Sequence, residues 1–146
     1  HRLPRRSASA VDDVYALPAR LQAAGIPFCI ATGSDPSNER HLPDHAATAV
    51  AYGLPRDVAL RSITSDAAVI AGVGDKLGTI EPGKMATLQI VSGTPMEMTC
   101  EPLIAFIDGR RVDLGNHQAR LDAKYREKYT RMGLLSTDAK PVGAGQ

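Results

Sequence analysis

A short apolar run, Phe28–Ala31, limits the folds open to this sequence more than any other feature. The run is apolar on both faces, which is typical of a buried parallel strand rather than a half-exposed antiparallel one. Helical spacing of apolar residues before it predicts a helix over residues 11–24, which starts either at the beginning of that range or at Pro18. Gly25 and Pro27 then separate helix from strand. A helix, a tight turn and a buried strand together predict an α/β fold.

The residues after this run predict further helices. A polar turn over residues 32–38 follows the predicted strand, and residues 43–52 then carry apolar side chains at helical spacing. Pro55 opens a second helix, and Ser65 is predicted to cap a third, short one. Residues 1–10 show no periodicity and are predicted to be loop or disordered.

Residues 76–113 show a different pattern, in which alternation replaces helical spacing. Glu81–Lys84 has proline and glycine where a type II turn requires them. Two runs, Ala86–Val91 and Leu103–Ile107, predict strands. Asp108-Gly109 then offers the two positive-φ positions of a type I′ hairpin turn. This part of the chain therefore predicts a small antiparallel sheet.

An amphipathic helix is predicted near the end of the sequence. Leu121, Tyr125, Tyr129 and Met132 form one apolar stripe, which we expect to dock on the rest of the protein. The polar, glycine-containing residues that follow predict a mobile tail. The patterns divide the chain into a loop or disordered start (1–10), a segment of helices and one strand (11–75), a small β-module (76–113), a C-terminal helix (114–135) and a tail (136–146).

Composition argues against several classes of function. The 146 residues include 17 basic and 16 acidic side chains, for a net charge of +1, and only 4 % are aromatic, with no tryptophan. This balance argues against a nucleic-acid-binding surface or a platform for base stacking. No stretch reaches the roughly 20 apolar residues that cross a bilayer, so no membrane span is expected.

The cysteines and the first residue give two further expectations. Cys29 and Cys100 form no CxxC pair, which favours two reduced, buried thiols in a cytoplasmic protein. The sequence begins with His1 instead of methionine, which predicts that it continues a longer sequence upstream. The length corresponds to one domain or to parts of two.

Three segments of the sequence carry a resemblance to a known family. Residues 59–68 read ALRSITSDAA, residues 77–86 read LGTIEPGKMA and residues 107–112 read IDGRRV. In this order and spacing they resemble the C-terminal end of amidohydrolase-superfamily enzymes, in the branch of imidazolonepropionase-like and related metal-dependent hydrolases. The resemblance extends over residues 12–130. Met85 and Thr87 depart from the family pattern, which usually has acidic residues there.

The resemblance implies the last βα part of a (β/α)₈ barrel, part of a small flanking antiparallel β-sandwich and a C-terminal helix. Phe28–Ala31 would be the eighth barrel strand, and the loop after it would lie on the active-site face. Asp35 in this loop then matches a carboxylate that binds or adjoins a zinc or other divalent metal ion and carries a proton from metal-activated water to the leaving nitrogen. Ser34 and Asn38 would line the rim of the substrate pocket. A second interpretation stays open, because an aspartate before a proline often caps a turn.

The metal site implied by the resemblance needs a His-x-His pair, and this sequence has none. Its four histidines are His1, His41, His45 and His117. His41 and His45 are four residues apart, but Pro43 places His41 in the loop before the helix, which favours solvent-facing or capping roles over a weak metal site. Asp35 alone cannot replace the three protein ligands of a catalytic zinc, so no tightly bound metal is expected and this chain alone is predicted to be inactive.

Two hypotheses about function follow. In the first, the chain is the C-terminal portion of a metal-dependent amidohydrolase that cleaves a non-peptide C–N bond in a cyclic or linear small-molecule amide. Its partner is then the missing N-terminal barrel portion or a second chain. In the second, the chain is a stand-alone, non-catalytic assembly or oligomerisation module, because the unpaired edges of an isolated barrel strand favour homo-oligomers. Upstream barrel strands with a His-x-His motif favour the first hypothesis, and a start codon close to the chain favours the second.

Overall fold

The computed structural model describes residues 10–33 and 36–136, which form helices followed by a small sheet and a last helix. The helices of the first part lie before residue 75, and the strands lie after it, as the change of pattern at that point predicts. The elements are α1 (Asp13–Ala23), a 3₁₀ helix (Pro36–His41), α2 (Leu42–Ala51), α3 (Arg56–Ser62), α4 (Ser65–Ile70), β1 (Leu88–Val91), β2 (Pro102–Ile107), β3 (Arg110–Val112) and α5 (His117–Arg131).

The hydrophobic core lies between α2 and α3. Small side chains let these helices approach closely, because Ala46 and Ala59 are fully buried at the contact. Leu54, in the turn between the two helices, is the largest fully buried apolar side chain among the described residues, and its N–H donates to the carbonyl of Ala49 at 3.0 Å. The other core residues and the half-buried side chains packed on them are Ala49, Val58, Ala19, Phe28, Ile30, Val50, Ile63 and Met96.

α1 begins at the earlier of its two predicted starts. The helix starts at Asp13, so Pro18 lies inside it. Proline has no N–H, so this turn of the helix lacks one of its backbone hydrogen bonds. α1 nonetheless continues to Ala23, and it packs against α2.

The predicted strand Phe28–Ala31 does not form. Residues 26–33 belong to no helix or strand, and within the described residues no other strand lies beside them. A parallel strand requires hydrogen bonds from neighbouring strands, and here the N–H of Ile30 donates instead to the carbonyl of Ser62, at 3.1 Å. The apolar run is thus anchored on the end of α3 rather than in a sheet.

The short helices differ in detail from the sequence predictions. The predicted polar turn over residues 32–38 overlaps the start of a 3₁₀ helix, Pro36–His41, which ends directly before α2. The predicted cap Ser65 is the first residue of α4, and Thr64 occupies the N-cap position without a side-chain capping bond. The Thr64 hydroxyl donates instead to the carbonyl of Leu60, at 2.7 Å, so it stabilises the end of the preceding helix.

The segment that reads LGTIEPGKMA is a series of turns held by one lysine. Glu81–Lys84 forms the predicted type II turn, with Gly83 at φ +92° and the Lys84 N–H donating to the Glu81 carbonyl at 3.2 Å. The Lys84 ammonium donates to the carbonyl of Gly74, at 2.9 Å, and to the hydroxyl of Thr79. It also lies 3.6 Å from the Glu81 carboxylate. Lys84 therefore joins the turn to the loop that follows α4.

The sheet is antiparallel, as predicted, with the strand order β1-β2-β3. Asp108 at φ +49° and Gly109 at φ +76° form the hairpin turn between β2 and β3. Thr87, at a position where the resembling family usually has an acid, accepts a hydrogen bond from the Asp108 N–H at 3.1 Å. This contact holds the hairpin turn against the residues that lead into β1.

α5 forms as predicted but does not dock. Its N-cap Asn116 accepts a hydrogen bond from the Ala119 N–H at 2.8 Å. Within the described chain, however, α5 packs against no other helix or strand, and none of its residues is buried. The expected docking of the apolar stripe is therefore wrong for the described part of the chain. Helical spacing reveals which face is apolar, but not whether a complementary surface lies opposite it.

The cysteines also depart in part from expectation. Both are free thiols, as predicted, and Cys100 is half-buried. Cys29 is exposed, which contradicts the predicted burial, because the neighbouring strands that would cover the run are absent from the described fold.

Candidate functional site

The segment before the candidate loop is fixed on the helical core. Phe28 and Ile30 pack on the core formed by α2 and α3. Ser62, which accepts from the Ile30 N–H, is itself fully buried, and its hydroxyl donates to the Ala59 carbonyl at 2.7 Å. Gly33 then turns the backbone at φ +82°, a conformation that favours glycine. The chain therefore enters the candidate loop from a defined position.

The predicted site residues belong to this loop. Ser34 and Asp35 lie outside the described residues, so their roles stay predictions. Asn38 lies in the 3₁₀ helix Pro36–His41, which ends directly before α2.

Three side chains join the end of the 3₁₀ helix to α2. The Arg40 Nε donates to His41 Nε2 at 3.1 Å, and His41 Nδ1 lies 2.9 Å from the Asp44 carboxylate. Because Nε2 accepts from Arg40, the neutral ring of His41 carries its proton on Nδ1 and donates it to Asp44. Both ring nitrogens of His41 therefore have partners within the protein. These contacts hold the end of the candidate loop against the first turn of α2.

His45 occupies a different environment from His41. It lies one turn into α2 and is half-buried, and this burial lowers its pKa from the usual value of 6.5. The Asp44 carboxylate acts in the opposite direction and is the weaker influence. His45 is consequently neutral at physiological pH.

The two histidines are placed differently in the structure. His41 precedes the body of α2, as Pro43 predicted, and both its ring nitrogens already have protein partners. Over residues 10–33 and 36–136, no group of three or more His, Cys, Asp or Glu side chains is placed to hold a metal ion. The described residues therefore do not provide a complete ligand set.

Sequence reasoning missed the network of Arg40, His41 and Asp44. A signal for it exists, because a histidine before a helix and an aspartate three residues later lie within reach across the first turn. Spacing alone could not reveal that Arg40 turns back to the same ring.

Comparison with known proteins decides the family. A sequence model of the Amidohydrolase family matches residues 2–113. This chain belongs to the amidohydrolase family. The match runs through the candidate loop and through the sheet, and it confirms the resemblance drawn from the three sequence segments.

Relatives of known name and structure agree with this assignment. An imidazolonepropionase from Aromatoleum aromaticum is 40 % identical over 85 residues, which are 55 % of this chain and 20 % of the relative. The amidohydrolase tasK from Hapsidospora irregularis is 35 % identical over 72 residues, 49 % of this chain and 7 % of that protein. The crystal structure of an amidohydrolase from Thermotoga maritima superposes with a TM-score of 0.65 at 31 % identity, over 68 % of this chain and 26 % of the other.

The extent of these matches bears on function. The matched parts span about a quarter or less of each relative's length.

No helix in the described part of the chain is long and apolar enough to cross a membrane.

Proposed function

We propose that this chain supplies the last part of a (β/α)₈ barrel, the flanking β-module and a C-terminal helix to a metal-dependent amidohydrolase. The observation that carries the proposal is that one family match runs continuously through the helical segment and the sheet. In this division, residues 11–75 are the barrel segment, residues 76–113 the β-module and residues 114–135 the C-terminal helix.

Phe28–Ala31, which forms no strand within the described residues, would become the eighth barrel strand once the missing barrel portion lies beside it. Phe28 and Ile30 already pack on the helical core, as the outward-facing residues of a barrel strand pack on the surrounding helices. The partner would be the missing N-terminal barrel portion, on the same polypeptide or on a second chain. Its strands would supply the ladder hydrogen bonds that the run lacks here.

Asp35 is the catalytic residue that this chain contributes. Its carboxylate would accept a proton from the attacking water and donate it to the leaving nitrogen of the scissile C–N bond. The position supports this role, because loops after the barrel strands form the active-site face and Asp35 comes two residues after Gly33. Ser34 and Asn38 would line the rim of the pocket for a cyclic or linear small-molecule amide.

A zinc or other divalent ion would need ligands from outside the described residues. No three-ligand group occurs among them, and both ring nitrogens of His41 are engaged. The remaining ligands are therefore assigned to the preceding barrel portion, with Asp35 at or beside the ion. On this basis the 146-residue chain alone does not hydrolyse amides.

The test begins with the coding sequence upstream of His1. We expect barrel strands and a His-x-His motif there, and a start codon close to the chain would instead favour a stand-alone assembly module. The full polypeptide is then assayed with cyclic and linear amides as wild type, Asp35→Asn and Asp57→Asn. Loss of a general acid–base group predicts a fall of about 10²–10⁴-fold in kcat for Asp35→Asn.

Asp57→Asn is the matched control, because Asp57 is an exposed carboxylate on α3 that pairs with Arg61 at 2.7 Å. It should leave kcat unchanged. Equal activity of the Asp35→Asn enzyme and the wild type would contradict the catalytic role of Asp35.

Elemental analysis of zinc and manganese in the purified 146-residue chain tests its inactivity. We expect metal content close to zero. Stoichiometric metal that disappears in Asp35→Ala would show that a site exists within this chain and would contradict the assignment of the other ligands to a missing portion.

A further inference from the structure

α5 presents an uncovered aromatic and aliphatic surface. Leu121, Tyr125 and Tyr129 follow one another at four-residue spacing, and Met132 extends the row. Tyr125 is 47 % exposed and Met132 is 59 % exposed. The rings of Tyr125 and Tyr129 stack with their centroids 6.2 Å apart. Leu121 is half-buried, but no other helix or strand of the described chain packs on this stripe.

A row of positive charge runs beside the stripe. Arg120, Lys124 and Lys128 occupy the neighbouring four-residue row, and like charges at this spacing destabilise a helix. Within the described part of the chain, neither Arg120 nor Lys124 forms an ion pair, in contrast with the Arg126–Asp122 pair at 2.8 Å. Residues 114–135 contain five basic and two acidic side chains. Such a face fits an apolar groove on an acidic surface.

The helical segment of the chain carries an apolar groove with one carboxylate in its lining, Asp66, which lies 4.0 Å from the Arg61 guanidinium. A groove of about 250 Å³ lies between the end of α1 and α4, and its lining includes Ile26, Phe28, Asp66, Val69 and Ile70. Val69 is 69 % exposed and Ile70 is 51 % exposed. Residues 11–75 contain eight acidic and four basic side chains, so this segment has a net charge of −4.

We propose that α5 of one copy docks in the groove of a second copy. Residues 114–135 carry a net charge of +3 and residues 11–75 carry a net charge of −4. The first segment of one copy therefore attracts the second segment of the other copy. The apolar stripe lies in the groove, and the row of Arg120, Lys124 and Lys128 faces Asp66 at its edge. Each copy contributes one helix and one groove, which is the self-complementary arrangement of a two-fold dimer. α5 spans about 22 Å, so the reciprocal contact involves two long helical faces.

Sedimentation equilibrium of the 146-residue chain at low ionic strength tests the proposal. We expect a dimer in wild type and an increase of about tenfold or more in the dimer dissociation constant for Lys124→Glu. Arg110→Glu is the matched control, because it makes the same change of charge on β3, outside both surfaces, and it should leave the dimer intact. The double variant Lys124→Glu with Asp66→Lys should restore dimerisation, because the charges are exchanged across the same contact.

Several results would overturn the proposal. A wild-type chain that is monomeric at every concentration would do so, as would a dimer that Lys124→Glu leaves unchanged. Failure of the double variant to recover dimerisation, with the helix content of wild type by circular dichroism, would refute the groove as the docking site. Association requires neither metal nor substrate, so these results are independent of the proposed hydrolase activity.

Discussion

Among the glycines of the described residues, Gly78 is the one at which an added methyl group would meet the closest neighbouring atoms. Its backbone lies at φ +96°, and a Cβ placed there would lie 2.7 Å from the Ala68 Cβ and 2.9 Å from the Ser65 Cα. The Thr64 carbonyl oxygen would be 3.2 Å away. Two of these three atoms belong to the backbone around the start of α4, so they cannot move aside as a flexible side chain can. Gly78→Ala must therefore displace the loop from α4.

The expected loss has two parts. An L-residue with a side chain at this φ costs about 1–2 kcal/mol. Overpacking against a closely packed neighbour costs about 1–3 kcal/mol more. Gly78→Ala should therefore lower the free energy of unfolding by about 2–5 kcal/mol.

Urea unfolding followed by circular dichroism measures this loss, with Gly83→Ala as the control. Gly83 has nearly the same φ, +92°, but a Cβ there would have no heavy atom within 4 Å. Gly83→Ala should therefore lose only the conformational part, about 1–2 kcal/mol. Equal losses in the two variants would refute the steric argument. A Gly78→Ala chain that fails to fold while Gly83→Ala folds would support it.

Three further predictions concern single side chains. Lys84→Met removes the donor to the Gly74 carbonyl and should lower the free energy of unfolding by about 1–3 kcal/mol, seen as a lower urea midpoint. An unchanged midpoint would contradict the role of Lys84 in joining the turn to the loop after α4. Asn116→Ala should reduce the helicity of α5 by circular dichroism, at a cost of about 0.5–2 kcal/mol, whereas Asn116→Asp keeps the acceptor and should not. Burial lowers the pKa of His45 in the folded chain below its usual value of 6.5. Below pH 6.5 the unfolded chain therefore binds more protons at this residue than the folded chain does, and the free energy of unfolding should decline as the pH falls through that value. His45→Gln should remove this pH dependence.

Features that depend on a few adjacent residues could be predicted from the sequence. The type II turn at Glu81–Lys84 and the hairpin turn at Asp108-Gly109 both formed. Proline restricts the backbone angles at its own position and glycine permits positive φ at its own, so such turns depend only on adjacent residues. α5 also formed, because helical spacing acts within one or two turns.

Features that need a distant partner could not be predicted in the same way. The apolar character of Phe28–Ala31 indicated burial, but a strand exists only where another strand donates and accepts its hydrogen bonds, and the described chain has none beside it. The candidate site shows the same division. Asp35 was proposed from its place in a resembling sequence, whereas the Arg40–His41–Asp44 network depends on how three side chains turn in space.

The sequence by itself determined the family, the division into a helical segment and a small antiparallel sheet, and the turns at Glu81–Lys84 and Asp108-Gly109, because these follow from backbone preferences and from segments that relatives share. Only the tertiary structure decided that Gly78 lies against the backbone of α4, that Lys84 reaches the Gly74 carbonyl and that, among the described residues, no other helix or strand packs on α5. The physical reason is the range of the interactions. Dihedral preferences and capping bonds act between neighbours in the chain, whereas packing and long-range hydrogen bonds depend on which surfaces folding brings together.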